Sequence, residues 1–193
     1  MAIALADPFN AQGSKTAGTT LVRGLSSIGA GTLCVVFFAM DNAAGTVSCA
    51  DDAGNTYAVA ADVTNASGVR TVILYAMNCA ALSAGNITIT HPSVTARSMV
   101  YATWSGAATS AALDASNTGT TTGSTATTSN AATPSEAGEL IVGVTGAEDT
   151  NTTGAPTEPA WATAGQKHGT TGGGAASNIY VNAAYEIQSA ALT

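Results

Sequence analysis

Short runs of β-branched and aromatic residues, separated by glycine and polar residues, place the strongest constraint on the fold of this chain. The clearest runs are Leu33–Phe38, Val72–Tyr75 and Leu140–Val142. Runs of this length between turn-forming residues are typical of buried strands, and no apolar pattern with helical spacing extends over the length of a helix. A disordered chain would have its large apolar residues dispersed rather than clustered. The sequence therefore predicts an all-β protein.

The spacing of these runs favours an antiparallel β-sandwich or jelly roll of about eight or nine strands with long polar loops. A parallel sheet would need crossover helices, for which the sequence has no pattern. Pro92 is expected to end the strand before it because proline lacks a backbone donor. The predicted strands are Thr19–Val22, Thr32–Met40, Thr46–Ala50, Thr56–Ala60, Arg70–Met77, Asn86–Thr90, Arg97–Trp104, Glu139–Thr145 and Ile179–Ile187.

The chain of 193 residues is long enough for one domain. Residues 1–31 are rich in glycine and carry little periodicity, so they are predicted to form an arm leading into a single sandwich domain at 32–193. Residues 107–133 are a tract of threonine, serine, alanine and glycine, which could be a loop or an extended edge strand. Residues 146–178 are predicted as a second long loop.

Charge excludes several classes of partner. The chain has 5 basic and 12 acidic residues, a net charge of −7, and its basic residues are scattered. Nucleic acid and anionic membrane surfaces both require clustered lysine and arginine, so neither is an expected partner. No apolar stretch reaches the length of a membrane-spanning helix, and the N-terminus lacks the basic region of a secretory signal.

Three cysteines, Cys34, Cys49 and Cys79, cannot all pair within one chain. Each lies in or beside an apolar segment, where a free cysteine behaves as a small hydrophobic residue. Free thiols are the favoured interpretation, with a Cys34–Cys49 disulfide as the alternative. Their spacing fits no zinc-binding pattern.

The segment Asp51–Asn55 is the one candidate for a metal site. Asp51, Asp52 and Asn55 carry side-chain oxygens of the kind that calcium binds, but the segment lacks a bidentate glutamate at a fixed offset. A hairpin turn with Gly54 in the left-handed conformation explains the same residues, and it is favoured over a calcium site.

Signatures of catalysis are absent from the sequence. The only histidines are His91, before a proline, and His168, in a glycine-rich segment, and no nucleophile motif accompanies them. The chain is therefore expected to be neither an enzyme nor a cofactor-binding protein. A hydrolase with its site in the long loops is the least favoured class.

Several phrases, in a shared order, resemble a β-sandwich module found in bacteriophage head-decoration proteins, other virion proteins and bacterial surface proteins. They cover residues 32–187 approximately. These phrases are Asp51–Tyr57, Leu74–Asn78, Asn86–Thr90, Tyr101–Gly106, Leu113–Asp114, Gly138–Gly143 and Tyr185–Ile187. In that module the last of these strands is usually followed by another, so the resemblance implies that residues 1–31 supply the closing strand or that a sheet edge stays open.

The resemblance implies a structural protein of the virion, made without a signal peptide, that decorates and stabilises a phage head through loop and β-edge contacts. Its expected partners are the major capsid protein or other shell subunits, and its expected state is a homo-oligomer, taken to be a trimer. The contact surfaces are expected in residues 1–31, 107–133 and the loop around Trp161. The candidate contact residues are Ile3, Leu5, Phe9, Trp161 and Tyr180.

Two alternatives remain open from the sequence. The first is a carbohydrate-binding or adhesive module at a cell surface, which would use Trp161 for stacking on sugar rings and calcium at Asp51–Asn55. The second is a subunit of another extracellular assembly, such as a filament or a surface layer.

Overall fold

The computed structural model describes residues 2–65, 68–120, 138–148, 164–170 and 178–188, and these residues form strands and no helix. The strands are β1 (Ala4–Ser14), β2 (Gly18–Ile28), β3 (Leu33–Asp41), β4 (Ser48–Asp51), β5 (Ala58–Thr64), β6 (Val69–Ala76), β7 (Leu82–Val94), β8 (Arg97–Ser105), β9 (Leu140–Glu148), β10 (Ala164–Gly169) and β11 (Ile179–Ile187). The all-β prediction is confirmed, with more strands than expected.

The strands form three antiparallel sheets. Sheet A has five strands in the order β1-β8-β3-β6-β5, sheet B has the order β2-β7-β4, and sheet C has the order β10-β11-β9. One apolar core joins sheet A to sheet B, and a second core joins the opposite face of sheet A to sheet C. The predicted antiparallel sandwich is therefore present, with sheet A as the middle of three layers.

The central strand β3 is buried on both of its faces, which explains its unbroken apolar sequence. Val36 and Phe38 point into the core with sheet B, whereas Val35 and Phe37 point into the core with sheet C. Burying one such side chain contributes about 1.5–3 kcal/mol. The continuous run of large side chains thus holds both outer sheets onto the middle one.

An aromatic cluster lies in the core between sheets A and C. The ring of Phe9 lies 5.9 Å from Tyr185, 6.3 Å from Trp104 and 6.4 Å from Phe37, measured between centroids. Trp104 is fully buried. The tilted and edge-on geometries are those that aromatic quadrupoles favour.

Residues 1–31 are not an arm. They contain β1, which pairs with β8 at one edge of sheet A, and β2, which pairs with β7 in sheet B. Both are edge strands with register breaks, and β1 includes Pro8. Small residues and bulges interrupt the period-2 pattern, which is why the sequence predicts only Thr19–Val22 as a strand. The N-terminal segment therefore completes the sandwich within the chain.

Asp51–Asn55 does not join the two strands of a hairpin. The strand before it, β4, pairs with β7 in sheet B, and the strand after it, β5, pairs with β6 in sheet A. The turn thus carries the chain from one layer to another. Gly54 has φ 78°, the left-handed conformation predicted for it.

Two further predictions are wrong in detail. β7 continues through Pro92 to Val94. Its pairing with β2 skips from Thr90 to Val94, and its pairing with β4 goes no further than Thr90. The proline therefore lies where neither neighbouring strand needs a backbone N–H donor. The predicted loop at 146–178 contains the end of β9 and all of β10. Residues 107–120 form no strand, and residues 121–133 lie outside the described part.

Candidate functional site

The carboxylate of Asp51 organises the turn between β4 and β5. Its Oδ1 accepts hydrogen bonds from the backbone N–H groups of Ala53 at 3.0 Å and Asn55 at 3.1 Å. Its Oδ2 accepts from Nδ2 of Asn55 and from the hydroxyl of Tyr57, both at 2.9 Å. Four donors therefore surround this carboxylate.

The other two calcium candidates face different donors. Oδ2 of Asp52 accepts from the backbone N–H of Asn86 at 2.8 Å and from its side-chain amide at 3.0 Å. Oδ1 of Asn55 accepts from the backbone N–H of Ala80 at 2.7 Å. The three oxygen-bearing side chains thus accept hydrogen bonds from three separate sets of donors, and the arrangement is that of a hydrogen-bonded turn. Among the described residues, no three histidine, cysteine or acidic side chains form a cluster suited to a metal ion.

The three cysteines are free thiols, as the favoured interpretation predicted. Cys34 and Cys79 are buried, and Cys49 packs at the margin of the same core. Burial raises the pKa of Cys34 well above its usual range, and burial together with the nearby charge of Asp51 raises that of Cys49 to about 12. At neutral pH these thiols stay protonated and act as core residues.

The two histidines have structural contacts. The ring of His91 is buried against Phe38, with centroids 5.4 Å apart, and its Nδ1 lies 2.7 Å from the carbonyl oxygen of Pro92. The backbone carbonyl of His168 accepts a hydrogen bond from the hydroxyl of Ser98 at 2.8 Å. Burial lowers the pKa of both imidazoles.

The candidate contact residues fall into three groups. Ile3, Leu5 and Phe9 pack half-buried on the core between sheets A and C. Tyr180 is half-buried on β11, where it pairs with residues of both β9 and β10. Trp161 lies outside the described residues. Contact of any of these residues with a partner stays a prediction.

A shallow cavity of about 190 Å³ lies where β1 meets β10 and is lined by Gly13, Ser14, Lys15, Gly169 and Thr170. The ammonium group of Lys15 donates a hydrogen bond to Oδ1 of Asn178 at 2.7 Å. The charged side chain in this cavity is therefore already engaged by the protein.

Most edge strands of the three sheets carry features that discourage pairing with another chain. β1, β2 and β5 have breaks in register, β4 has four residues and β10 has six. At the break in β2, Leu25 has φ 55° and is 82% exposed. Bulges and short strands are the usual means by which proteins protect sheet edges.

β9 lacks these features. Its nine residues pair with β11 without a break, it contains no proline, and its only charged residue is Glu148 at the end. Within the described residues no strand pairs with its other side. All nine residues are half-buried.

The direction of the backbone groups of β9 follows from its ladder. The N–H of Gln188 donates to the carbonyl of Glu139 at 2.9 Å, so this pair is hydrogen-bonded. Bonded and outward positions alternate along an antiparallel strand. Leu140, Val142, Val144 and Gly146 therefore direct their N–H and C=O groups towards the open edge.

An apolar shelf lies beside this edge. β9 packs over β3 and β6, so sheet C leaves β5 and part of β6 uncovered. Ile73 and Tyr75 of β6 lie at the margin of the second core, and Ala61 and Val63 of β5 share their face. All four are half-buried. We call the open edge of β9 together with these four residues the strand slot.

Gly146 fixes the position of β9 over sheet A. A Cβ atom at this position would clash with Oγ1 of Thr71 and with Cβ of Ala39, so the two sheets approach closely here. The carboxylate of Glu148 lies against Gly68, where a Cβ atom would likewise clash with it. These close contacts hold β9 at a fixed position over sheet A, so the distance between the apolar shelf and the edge of β9 is also fixed.

Comparison with protein-family models, with curated proteins and with solved structures finds no match for this chain. The resemblance to the phage-decoration module thus stays a prediction from the sequence phrases. The described residues include no helix that could cross a bilayer.

The sequence analysis missed the strand slot. Leu140–Val142 predicted the strand, but nothing local to β9 indicates that a neighbour is lacking, since that depends on the order of strands in sheet C. The available signal was the alternating, half-apolar sequence of β5, which contrasts with the apolar run of β3 and is typical of a strand that is covered on one face only.

Proposed function

We propose that this chain is a structural protein of a virus particle, a decoration or accessory subunit that binds and stabilises a phage head. The single observation that supports the proposal best is the strand slot, a nine-residue edge with which no strand of the described residues pairs, beside an apolar shelf. Open edges are what proteins use for assembly by β-strand addition.

The sequence phrases shared with head-decoration modules agree with this role. The major capsid protein, or another shell subunit, is the proposed partner, and a trimer is the proposed state on the particle. Binding to many shell subunits would add stability because association shifts the assembly equilibrium of the shell. The same slot would also suit a subunit of another extracellular assembly. Binding to phage heads distinguishes the two functions, because only a decoration protein should bind them.

The test is co-sedimentation of the purified chain with heads assembled from the major capsid protein that the same genome encodes. We expect saturable binding to heads, together with a rise in the temperature at which the heads dissociate. Absence of binding to heads would overturn the proposal. Light scattering on the free chain tests the trimer separately.

A further inference from the structure

We propose that the strand slot accepts one extended segment, an arm or tail of the partner protein, with alternating apolar side chains and basic residues at its ends. This inference rests on the proposed function and names the chemistry of the partner. It follows from three properties of the slot, namely its width, its exposed backbone groups and the charges at its ends.

The width of the slot fits one strand. β9 lies over β3 and β6, and only β5 extends further in sheet A. Neighbouring strands in a sheet are about 4.8 Å apart, so a strand paired with β9 would lie over β6 and β5. A second added strand would extend past the end of the shelf.

The backbone groups of the slot suit β-strand addition. Leu140, Val142, Val144 and Gly146 offer N–H and C=O groups to an incoming strand. Alternate side chains of that strand would face Ile73 and Tyr75, and the others would face solvent. Backbone hydrogen bonds would then supply affinity, and the apolar shelf would select every second side chain.

A second copy of this chain does not fit the same slot. If two β9 strands paired around a twofold axis, both copies of sheet A would lie on the same side of the joined sheet C. Each sheet A extends beyond β9 by β5 and part of β6. These extensions would occupy the same space. The occupant must therefore be a segment that carries no sheet packed beneath it, as sheet A packs beneath β9.

The charges around the slot favour a basic segment. Glu148 ends β9, and Glu186 of the adjacent strand pairs with Ile141 near the other end of β9. Arg70 of β6 points to the opposite face of sheet A, where it forms a 2.6 Å ion pair with Asp62 and donates hydrogen bonds to the carbonyls of Ala43 and Gly45. A segment with lysine or arginine at its ends would therefore meet carboxylates.

The test uses a short synthetic peptide, acetyl-Lys-Val-Thr-Val-Thr-Val-Lys-amide, with a fluorophore for anisotropy measurements on the full chain. We expect saturable binding at micromolar concentrations. The same peptide with proline at its central valine should bind at least about tenfold more weakly, a difference of about 1.4 kcal/mol. Equal binding of the two peptides would overturn strand addition.

Two variants locate the binding. Val144→Pro removes an outward N–H while the ladder with β11 keeps its bonds, and Tyr75→Lys places a charge on the shelf. Each should weaken binding at least about tenfold. Leu25→Lys is the control, since it places the same charge at an exposed apolar residue of sheet B, away from the slot, and it should bind as the unchanged protein does. Thermal unfolding checks that each variant is folded.

Three further results would overturn the inference. One is the absence of peptide binding at millimolar concentration, and another is binding that both Val144→Pro and Tyr75→Lys retain. The third is a dimer of the free chain that Val144→Pro dissociates, because a second copy would then occupy the slot. If the chain binds heads but not the peptide, the inference alone is rejected. If the unchanged protein does not bind heads, the proposed function is rejected.

Discussion

The hydroxyl of Tyr57 donates a hydrogen bond to Oδ2 of Asp51 across 2.9 Å, and this contact joins the two ends of the turn that carries the chain from sheet B to sheet A. The same hydroxyl lies 3.6 Å from the thiol of Cys34 in the core. The turn thus closes one end of the core between these sheets.

Removal of the Asp51 carboxylate should destabilise the fold. Asp51→Ala leaves four donors without their acceptor, and we expect the free energy of unfolding to fall by about 2–3 kcal/mol. Tyr57→Phe removes one of those bonds and should cost about 1 kcal/mol. Urea unfolding measures both changes. Equal stability of Asp51→Ala and the unchanged protein would contradict the central role of this carboxylate.

Calcium should leave the stability unchanged. The oxygens of Asp51 already accept four hydrogen bonds, so binding of the cation would require these bonds to break. We expect the same melting temperature with millimolar calcium and with a chelator. A rise with calcium that Asp51→Asn abolishes would instead support the metal site considered from the sequence.

Both faces of β3 should contribute similarly to stability. Phe38→Ala opens a cavity in the core with sheet B, and Phe37→Ala opens one in the core with sheet C. We expect each substitution to cost about 3–5 kcal/mol. Chemical denaturation would show this, and a neutral effect of either substitution would mean that the corresponding outer sheet does not pack on the middle one.

Stability should fall as the solution becomes acidic. Burial lowers the pKa of His91 and of His168 below the ordinary 6.5, so the unfolded chain takes up protons below pH 6.5 that the folded chain binds less readily. The free energy of unfolding therefore decreases as pH falls from 6.5 to the folded pKa and then levels off with respect to these groups.

His91→Gln should reduce this dependence. Burial raises the pKa of Glu148, which acts in the opposite direction near its ordinary value of 4.5, so the comparison is best made between about pH 7 and about pH 5.5. The loss of stability across this interval, measured by urea unfolding, should be smaller in the variant. An identical loss in both proteins would show that His91 does not contribute.

The sequence predicted the strands that are buried on a core. β3 is predicted well because burial on both faces gives it a run of large apolar residues, and β11 is predicted well because Ile179, Val181 and Tyr185 alternate along it towards the core. β1 and β10 are not predicted because they lie at sheet edges and consist largely of small or polar residues. An edge strand is stabilised by pairing with a single neighbouring strand, and its own amino-acid composition gives little indication of that pairing.

Pairing between distant segments set the limit of the sequence analysis. Asp51–Asn55 uses the same turn chemistry whether it joins paired strands or connects two sheets, so the sequence predicted a hairpin where the chain changes layer. The strand slot likewise depends on which strands lie over β5 and β6. Such features follow from sheet order, which hydrophobic periodicity does not determine.

The most direct test of this account is amide hydrogen exchange at Val144 and Thr145 of the free protein. These neighbours lie on the same strand, but Val144 directs its N–H to the open edge, whereas Thr145 pairs with Asn182 of β11. We predict that the Val144 amide exchanges at nearly the rate of an unprotected peptide, while the Thr145 amide is protected. Equal protection of both amides would show that the edge of β9 is already paired, by residues 121–137 or by another segment, and would contradict the strand slot.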